Sequence, residues 1–195
     1  VGFWAAGCGR QRPGDLVDLR ALDPTIRLDV RYATADNFLG RPVYPVARVL
    51  LRRSVAERLA RVQRRLASRG LGLEVYDGYR PVSVQRAMWA IVPDSRYVAD
   101  PRKGSRHNRG AAVDLTLVGE RGEQIPMPTA YDDFTERAAA DFADVPEPAR
   151  TNRATLQQAM TAEGFVIMQT EWWHFDAPDW RRYPVMDVPL TVRAR

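Results

Sequence analysis

The chain has 195 residues, 45% of them hydrophobic and 27% charged, with a net charge of +5 and a pI near 9.8. That length and balance fit one domain with a sizeable core, and no run approaches the roughly 18 apolar residues of a membrane-spanning helix. The basic charge would suit an acidic polymer or a solvated surface. The cations, all arginine except Lys103, are scattered with no basic run interleaved with aromatics, so no nucleic-acid platform is expected.

In chain order, residues 1–14 read as a flexible lead-in. Within them Phe3-Trp4-Ala5-Ala6-Gly7-Cys8-Gly9 has the pattern that ends a bacterial lipoprotein signal, with Ala5 where leucine is usual. The alternative is a disordered terminus with a chance cysteine. The lipoprotein reading places the chain in the periplasm or cell envelope with a lipid anchor at Cys8; without it the expected location is the cytoplasm. Cys8 is the one cysteine, so no intrachain disulfide can form.

Residues 26–32 alternate apolar and polar, which predicts a half-buried strand. Leu51, Val55, Leu59, Val62 and Leu66 draw one apolar stripe and predict a helix over about 47–69, with Gly70 as its stop. Residues 73–76 predict a short strand ending at the Asp77-Gly78 turn, and residues 81–92 a second helix with Pro81 in its first turn. Residues 111–117 alternate again: Val113, Leu115 and Leu117 face one way, Asp114 the other. Residues 118–150, rich in prolines, predict a long irregular segment. A third helix is expected over 152–163, then a buried strand over 165–168. Strands and helices do not alternate regularly, so the expected class is α+β, in one domain.

The chain has two histidines, and each lies in a short polar motif. His107 belongs to Ser105-Arg106-His107-Asn108-Arg109-Gly110-Ala111-Ala112-Val113-Asp114, and His174 to Glu171-Trp172-Trp173-His174. Imidazole is the commonest protein metal ligand and the usual proton carrier near neutral pH. His-x6-Asp plus Glu-x-x-His supplies three metal ligands and a spare carboxylate, the inventory of a catalytic zinc site with an open fourth position. Gly110 would permit a tight path from His107 back toward Asp114. The bland alternative is a surface loop histidine, an exposed strand aspartate and two core tryptophans with a polar edge. Arg80, in Asp77-Gly78-Tyr79-Arg80-Pro81, is either a stiffly held guanidinium suited to a carbonyl or carboxylate, or one arginine among many.

Together these motifs resemble the bacterial D-alanyl-D-alanine dipeptidases, zinc peptidases of the hedgehog/D-Ala-D-Ala-peptidase fold. The resemblance runs from about Asp15 to Pro189. It is carried by Arg31-Tyr32-Ala33-Thr34-Ala35-Asp36-Asn37-Phe38, Tyr76-Asp77-Gly78-Tyr79-Arg80-Pro81, Ser105 to Leu117, Pro126-Met127, Phe134-Thr135-Glu136-Arg137 and Glu171-Trp172-Trp173-His174. It implies one catalytic domain over 15–195, built on a central antiparallel sheet with flanking helices. It implies one zinc ion held by His107, Asp114 and His174, with Glu171 as base and Arg80 stabilising the transition state. Tyr32, Ser105 and Asp132 fall at substrate contacts, Asp132 facing the dipeptide's ammonium, with Asp133 beside it as a competitor. The implied reaction is hydrolysis of D-alanyl-D-alanine. The alternatives are a D,D- or L,D-carboxypeptidase acting on peptidoglycan peptides, or a zinc-stabilised binding module without catalysis.

Overall fold

The computed structural model describes residues 16–190. The lead-in, with Cys8 and its expected lipid anchor, lies outside the described residues. In chain order the elements are β1 (Leu16–Asp18), α1 (Leu19–Leu22), β2 (Arg27–Leu28), β3 (Leu50–Arg52), α2 (Arg53–Ala67), β4 (Leu71–Asp77), α3 (Val82–Trp89), β5 (Ala112–Gly119), α4 (Ala149–Ala162), β6 (Val166–Ile167) and β7 (His174–Asp176). This is the expected α+β arrangement. Five strands form a sheet in the order β2-β4-β5-β7-β6, and β1 pairs with β3 in a separate ribbon. Each pair in the large sheet is antiparallel except β2 with β4, which run parallel. Among the described residues no helix is long and apolar enough to cross a membrane.

The helix α2 forms because Val55, Leu59, Val62 and Leu66 recur at three- and four-residue spacing, and all four are fully buried. Burying each contributes roughly 1.5–3 kcal/mol. Its buried Gln63 accepts a hydrogen bond from the Leu73 amide at 2.9 Å, which ties the helix to β4 without leaving a polar group unpaired. The helix α4 sets Leu156, Ala159 and Met160 on the same core. Just past its end, Glu163 binds Arg61 and Arg65 of α2 at 2.7 and 2.9 Å.

Several boundaries differ from the sequence expectation. The predicted helix over 47–69 starts only at Arg53, because residues 50–52 pair with Leu16–Asp18 as a strand. Leu51 sits four residues before Val55, so it continues the helical stripe in sequence while packing as a strand residue in space. The strand predicted over 26–32 shrinks to Arg27–Leu28. Asp29 makes one more bond to the Val75 carbonyl, and the chain then turns through Arg31–Ala33. The strand expected over 165–168 is an edge strand of two residues, with Phe165 buried but Val166 exposed. The segment between β5 and α4 carries no strand or α-helix, as expected, although α4 begins at Ala149.

The centre of the sheet sets up the site. Every residue of β5 is buried, and Val113, Leu115 and Leu117 are in the core. The pairing of β4 with β5 is regular from Leu71↔Gly119 to Val75↔Leu115, then shifts so that Asp77 stands opposite Asp114. Tyr76 is the extra residue, a bulge of the kind found beside functional sites. On the other side of β5, Asp114 pairs with His174 of β7. Asp77, Asp114 and His174 therefore form one row across three strands. A slip of one residue in any of them would turn its side chain to the opposite face.

Candidate active site

His107 reaches this row from a 3-10 turn over His107–Arg109, closed by Gly110 in the left-handed conformation (φ 65°). A Cβ at Gly110 would lie 2.6 Å from Leu16 Cδ2, so the tight path anticipated there needs both the φ and the missing side chain. His107 Nδ1 donates to the Gly78 carbonyl at 2.7 Å. His174 Nε2 donates to Asp176 Oδ1 at 3.0 Å, and Arg106 Nε lies 3.3 Å from the other oxygen of Asp176. Each imidazole thus has its outer nitrogen held by a fixed acceptor, which orients the ring and turns the inner nitrogen toward Asp114.

The inner nitrogens, His107 Nε2 and His174 Nδ1, are 3.2 Å apart. Asp114 Oδ1 lies 3.3 and 2.9 Å from them. That oxygen is buried and accepts no hydrogen bond, whereas Asp114 Oδ2 accepts one from the Tyr131 hydroxyl at 3.0 Å. Three lone-pair atoms from three chain segments therefore converge on one point. Ligands about 2.0–2.2 Å from a tetrahedral zinc ion stand about 3.3–3.5 Å from one another. The residues present could hold such an ion, and all three line the cleft. All eight residues singled out from the sequence line this one cleft, whose volume is about 840 Å³.

The charges around the cleft are strongly biased. Burial opposes the Asp114 charge, but the two histidines outweigh it and hold the carboxyl below the usual carboxylate range. Burial would likewise lower His174, yet Asp114 and Asp176 raise it to about 10. Glu171, 3.8 Å from His174 Nδ1, is pushed up to about 7 by burial. A carboxyl poised there can take and return a proton near neutral pH.

Arg80 is buried and rigidly held. Its Nε and Nη2 donate to Asp77 Oδ2 at 3.0 and 2.6 Å, and its Nη1 donates to Gln85 Oε1 of α3 at 3.1 Å. Asp77 Oδ1 accepts from the Tyr44 hydroxyl at 2.7 Å. Burial works against the guanidinium charge, but Asp77 more than offsets it, and Arg80 stays cationic. The guanidinium also lies 5.2 Å over the Tyr32 ring.

The Tyr32 hydroxyl donates to Asp132, 3.0 and 3.2 Å from its two oxygens. Asp132 adopts a left-handed φ of 59°, uncommon outside glycine though tolerated by aspartate. Burial, reinforced by the Asp114 charge, pushes its carboxyl up to about 8. Asp133 is committed elsewhere: its Oδ1 accepts the Thr135 amide at 3.0 Å. Ser105 Oγ accepts the His107 amide at 3.2 Å, which leaves its proton free to donate.

Four supporting residues went unassigned in the sequence: Asp77, Gln85, Tyr131 and Asp176. Asp77 lay inside a quoted motif, but its position opposite Asp114 depends on the bulge at Tyr76. The signal for Asp176 was its place two residues after His174, which on a strand means the same face. Nothing in the sequence marked Tyr131.

A family model described as D-Ala-D-Ala dipeptidase matches residues 12–189. A D-alanyl-D-alanine dipeptidase of Escherichia coli is 40% identical over 88% of this chain and 89% of its own length. Proteins of the same name from Enterococcus faecium and Streptomyces coelicolor are 33% and 34% identical, over 77% and 83% of this chain and 85% and 91% of theirs. With a group of residues that could hold a metal ion in its cleft and these relatives along most of its length, the chain is a peptidase and belongs to the D-Ala-D-Ala dipeptidase family.

Proposed function

We propose that this enzyme hydrolyses D-alanyl-D-alanine to two D-alanines, with one zinc ion held by His107 Nε2, Asp114 Oδ1 and His174 Nδ1. The observation that carries the reading is the convergence of those three atoms, each kept in place by a partner on its outer side. Zinc bound there would supply a Lewis acid and a water acidified toward a pKa of about 7.

The chain's own groups then have distinct tasks. Glu171 takes a proton from the attacking water and returns it to the leaving amine, a role its carboxyl near 7 suits. Arg80 offers a preorganised cation to the oxyanion that forms at the scissile carbonyl; because Asp77 and Gln85 already fix it, little reorganisation is needed as charge develops. Asp132 receives the dipeptide's ammonium beside the Tyr32 hydroxyl. A longer peptide would present a neutral amide there and leave the carboxylate buried and unpaired. Ser105 donates its free proton to the substrate carboxylate.

The cleft of about 840 Å³ is roomy for a dipeptide, and this favours, as the second reading, a carboxypeptidase that trims cell-wall peptides. One experiment separates the readings: metal content, together with alanine release from D-Ala-D-Ala, L-Ala-L-Ala and a D-Ala-D-Ala-ending pentapeptide. One equivalent of zinc and turnover confined to the D,D-dipeptide is the expected result. Faster release from the pentapeptide would overturn the dipeptidase reading in favour of the carboxypeptidase. Zinc uptake with no hydrolysis would overturn both.

A further inference from the structure

Asp114 divides its two oxygens between different neighbours. Oδ1 faces the two inner imidazole nitrogens, and Oδ2 accepts the Tyr131 hydroxyl at 3.0 Å. Tyr131 has little freedom to give up this bond. Its ring stacks on Tyr76 at 4.4 Å with an interplanar angle of 20°, and meets Trp173 and Tyr32 edge-on at 5.6 and 6.1 Å. These rings come from the β4 bulge, from the residue before His174 and from the turn after β2. Tyr32 and Trp173 themselves line the cleft.

We propose that Tyr131 is a positioning residue that restricts Asp114 to one metal-facing oxygen and so keeps the fourth coordination position free for water. A carboxylate with both oxygens unclaimed can bind a metal ion through both, and the second oxygen would then occupy the place where water must sit. The hydroxyl at Oδ2 removes that option. The same short stretch carries Asp132, which lines the cleft beside Tyr32 with a left-handed φ, while the preceding Tyr131 reaches Asp114. The irregular segment thus supplies a contact to the metal carboxylate as well as the wall for the substrate.

The inference rests on the metallopeptidase reading, and the test keeps the two apart. Wild type, Tyr131→Phe and Tyr32→Phe are loaded with cobalt(II), which reports coordination number through the strength of its visible absorption. Tyr131→Phe should show the weaker absorption of a higher-coordinate ion. Its metal affinity should change by about 10–100-fold, the usual effect of losing an outer-sphere partner, and kcat should fall at least tenfold with KM changed less. Tyr32→Phe also loses a hydroxyl but one bound to Asp132, so it should keep the wild-type cobalt spectrum. The inference is overturned if Tyr131→Phe, folded by its melting temperature, matches wild type within twofold in spectrum strength and metal affinity. It is equally overturned if Tyr32→Phe shifts the spectrum as far. A wild type that takes up no cobalt would instead sink the metallopeptidase reading itself.

Discussion

The row of Asp77, Asp114 and His174 and the segment between β5 and α4 serve the same cleft by opposite means. The row lies on strands, so register fixes each side chain, and Tyr44, Arg80, Tyr131 and Asp176 hold its outer polar atoms while Asp114 Oδ1 faces the two imidazoles. The segment has no strand or α-helix, and it holds Asp132 in an uncommon backbone conformation with a carboxyl that burial has made hard to ionise. The contrast separates two tasks. Atoms that must stand within tenths of an ångström of each other sit on the rigid frame. Asp132, whose proposed partner is a ligand, sits on a loop and is held meanwhile by one tyrosine hydroxyl.

The largest effects should come from the row. His174→Ala, measured by metal titration and turnover, should weaken metal binding by more than about a hundredfold, beyond the loss seen for outer-sphere partners, and abolish activity with it. Glu171→Gln should keep full metal content while kcat drops by about 10²–10⁴-fold, the range for a lost general acid–base. If metal and activity were lost together in that variant, Glu171 would belong with the ligands and the division of roles would fail.

Asp132→Asn probes the loop, and two readouts should move in opposite senses. Losing a charged partner for an ammonium should raise KM by about 10–100-fold, since such bonds are worth roughly 1.5–3 kcal/mol. Stability should improve. The folded carboxyl titrates near 8, against about 3.9 when unfolded. Between those values the folded state retains a proton that the unfolded state has released, so this group lowers stability as pH rises from about 4 to about 8. In EDTA-treated protein the advantage of Asp132→Asn in denaturant melts should therefore be small at pH 4.5 and largest above pH 8. An advantage independent of pH would mean that the loop carries no such strained charge.

The smallest effect is expected far from both regions. Arg65 and Arg61 hold Glu163 below its ordinary pKa. The stability it contributes is present above about pH 4.3 and is lost as pH falls through its lowered folded value. Both arginines are about half exposed, so Glu163→Gln should cost no more than about 1 kcal/mol at pH 7, progressively less as pH falls below about 4.3, and leave kcat unchanged. A change in kcat would mean that the packing of α2 on α4 reaches the cleft.

The same contrast explains what could be read from the sequence. His107, Asp114, Glu171 and His174 were legible because each sits in a short motif whose spacing already restricts the geometry. The stripe of α2 was legible because helical periodicity is local. The strand Leu50–Arg52 was not, since its partner lies more than thirty residues earlier and Leu51 also fits the helical stripe. The strand β7 was hidden in the two tryptophans, and with it the role of Asp176. The choice between Asp132 and Asp133 rested on one backbone dihedral that no neighbouring glycine announced. Tyr131 looked like any tyrosine in a proline-rich stretch, because its meaning depends on what β4, β5 and β7 place around it.

The bulge at Tyr76 makes assembly of the site a proofreading step for folding. Paired without the bulge, β4 would set Tyr76 rather than Asp77 opposite Asp114, and Tyr131 would lose the ring it stacks on. A β4 one residue out of step with β5 would also displace Gly78, the residue after the strand, whose carbonyl orients His107 beside Asp114 and His174. If the site takes up a metal ion, uptake during refolding should therefore be strongest in molecules that have the sheet in its correct frame.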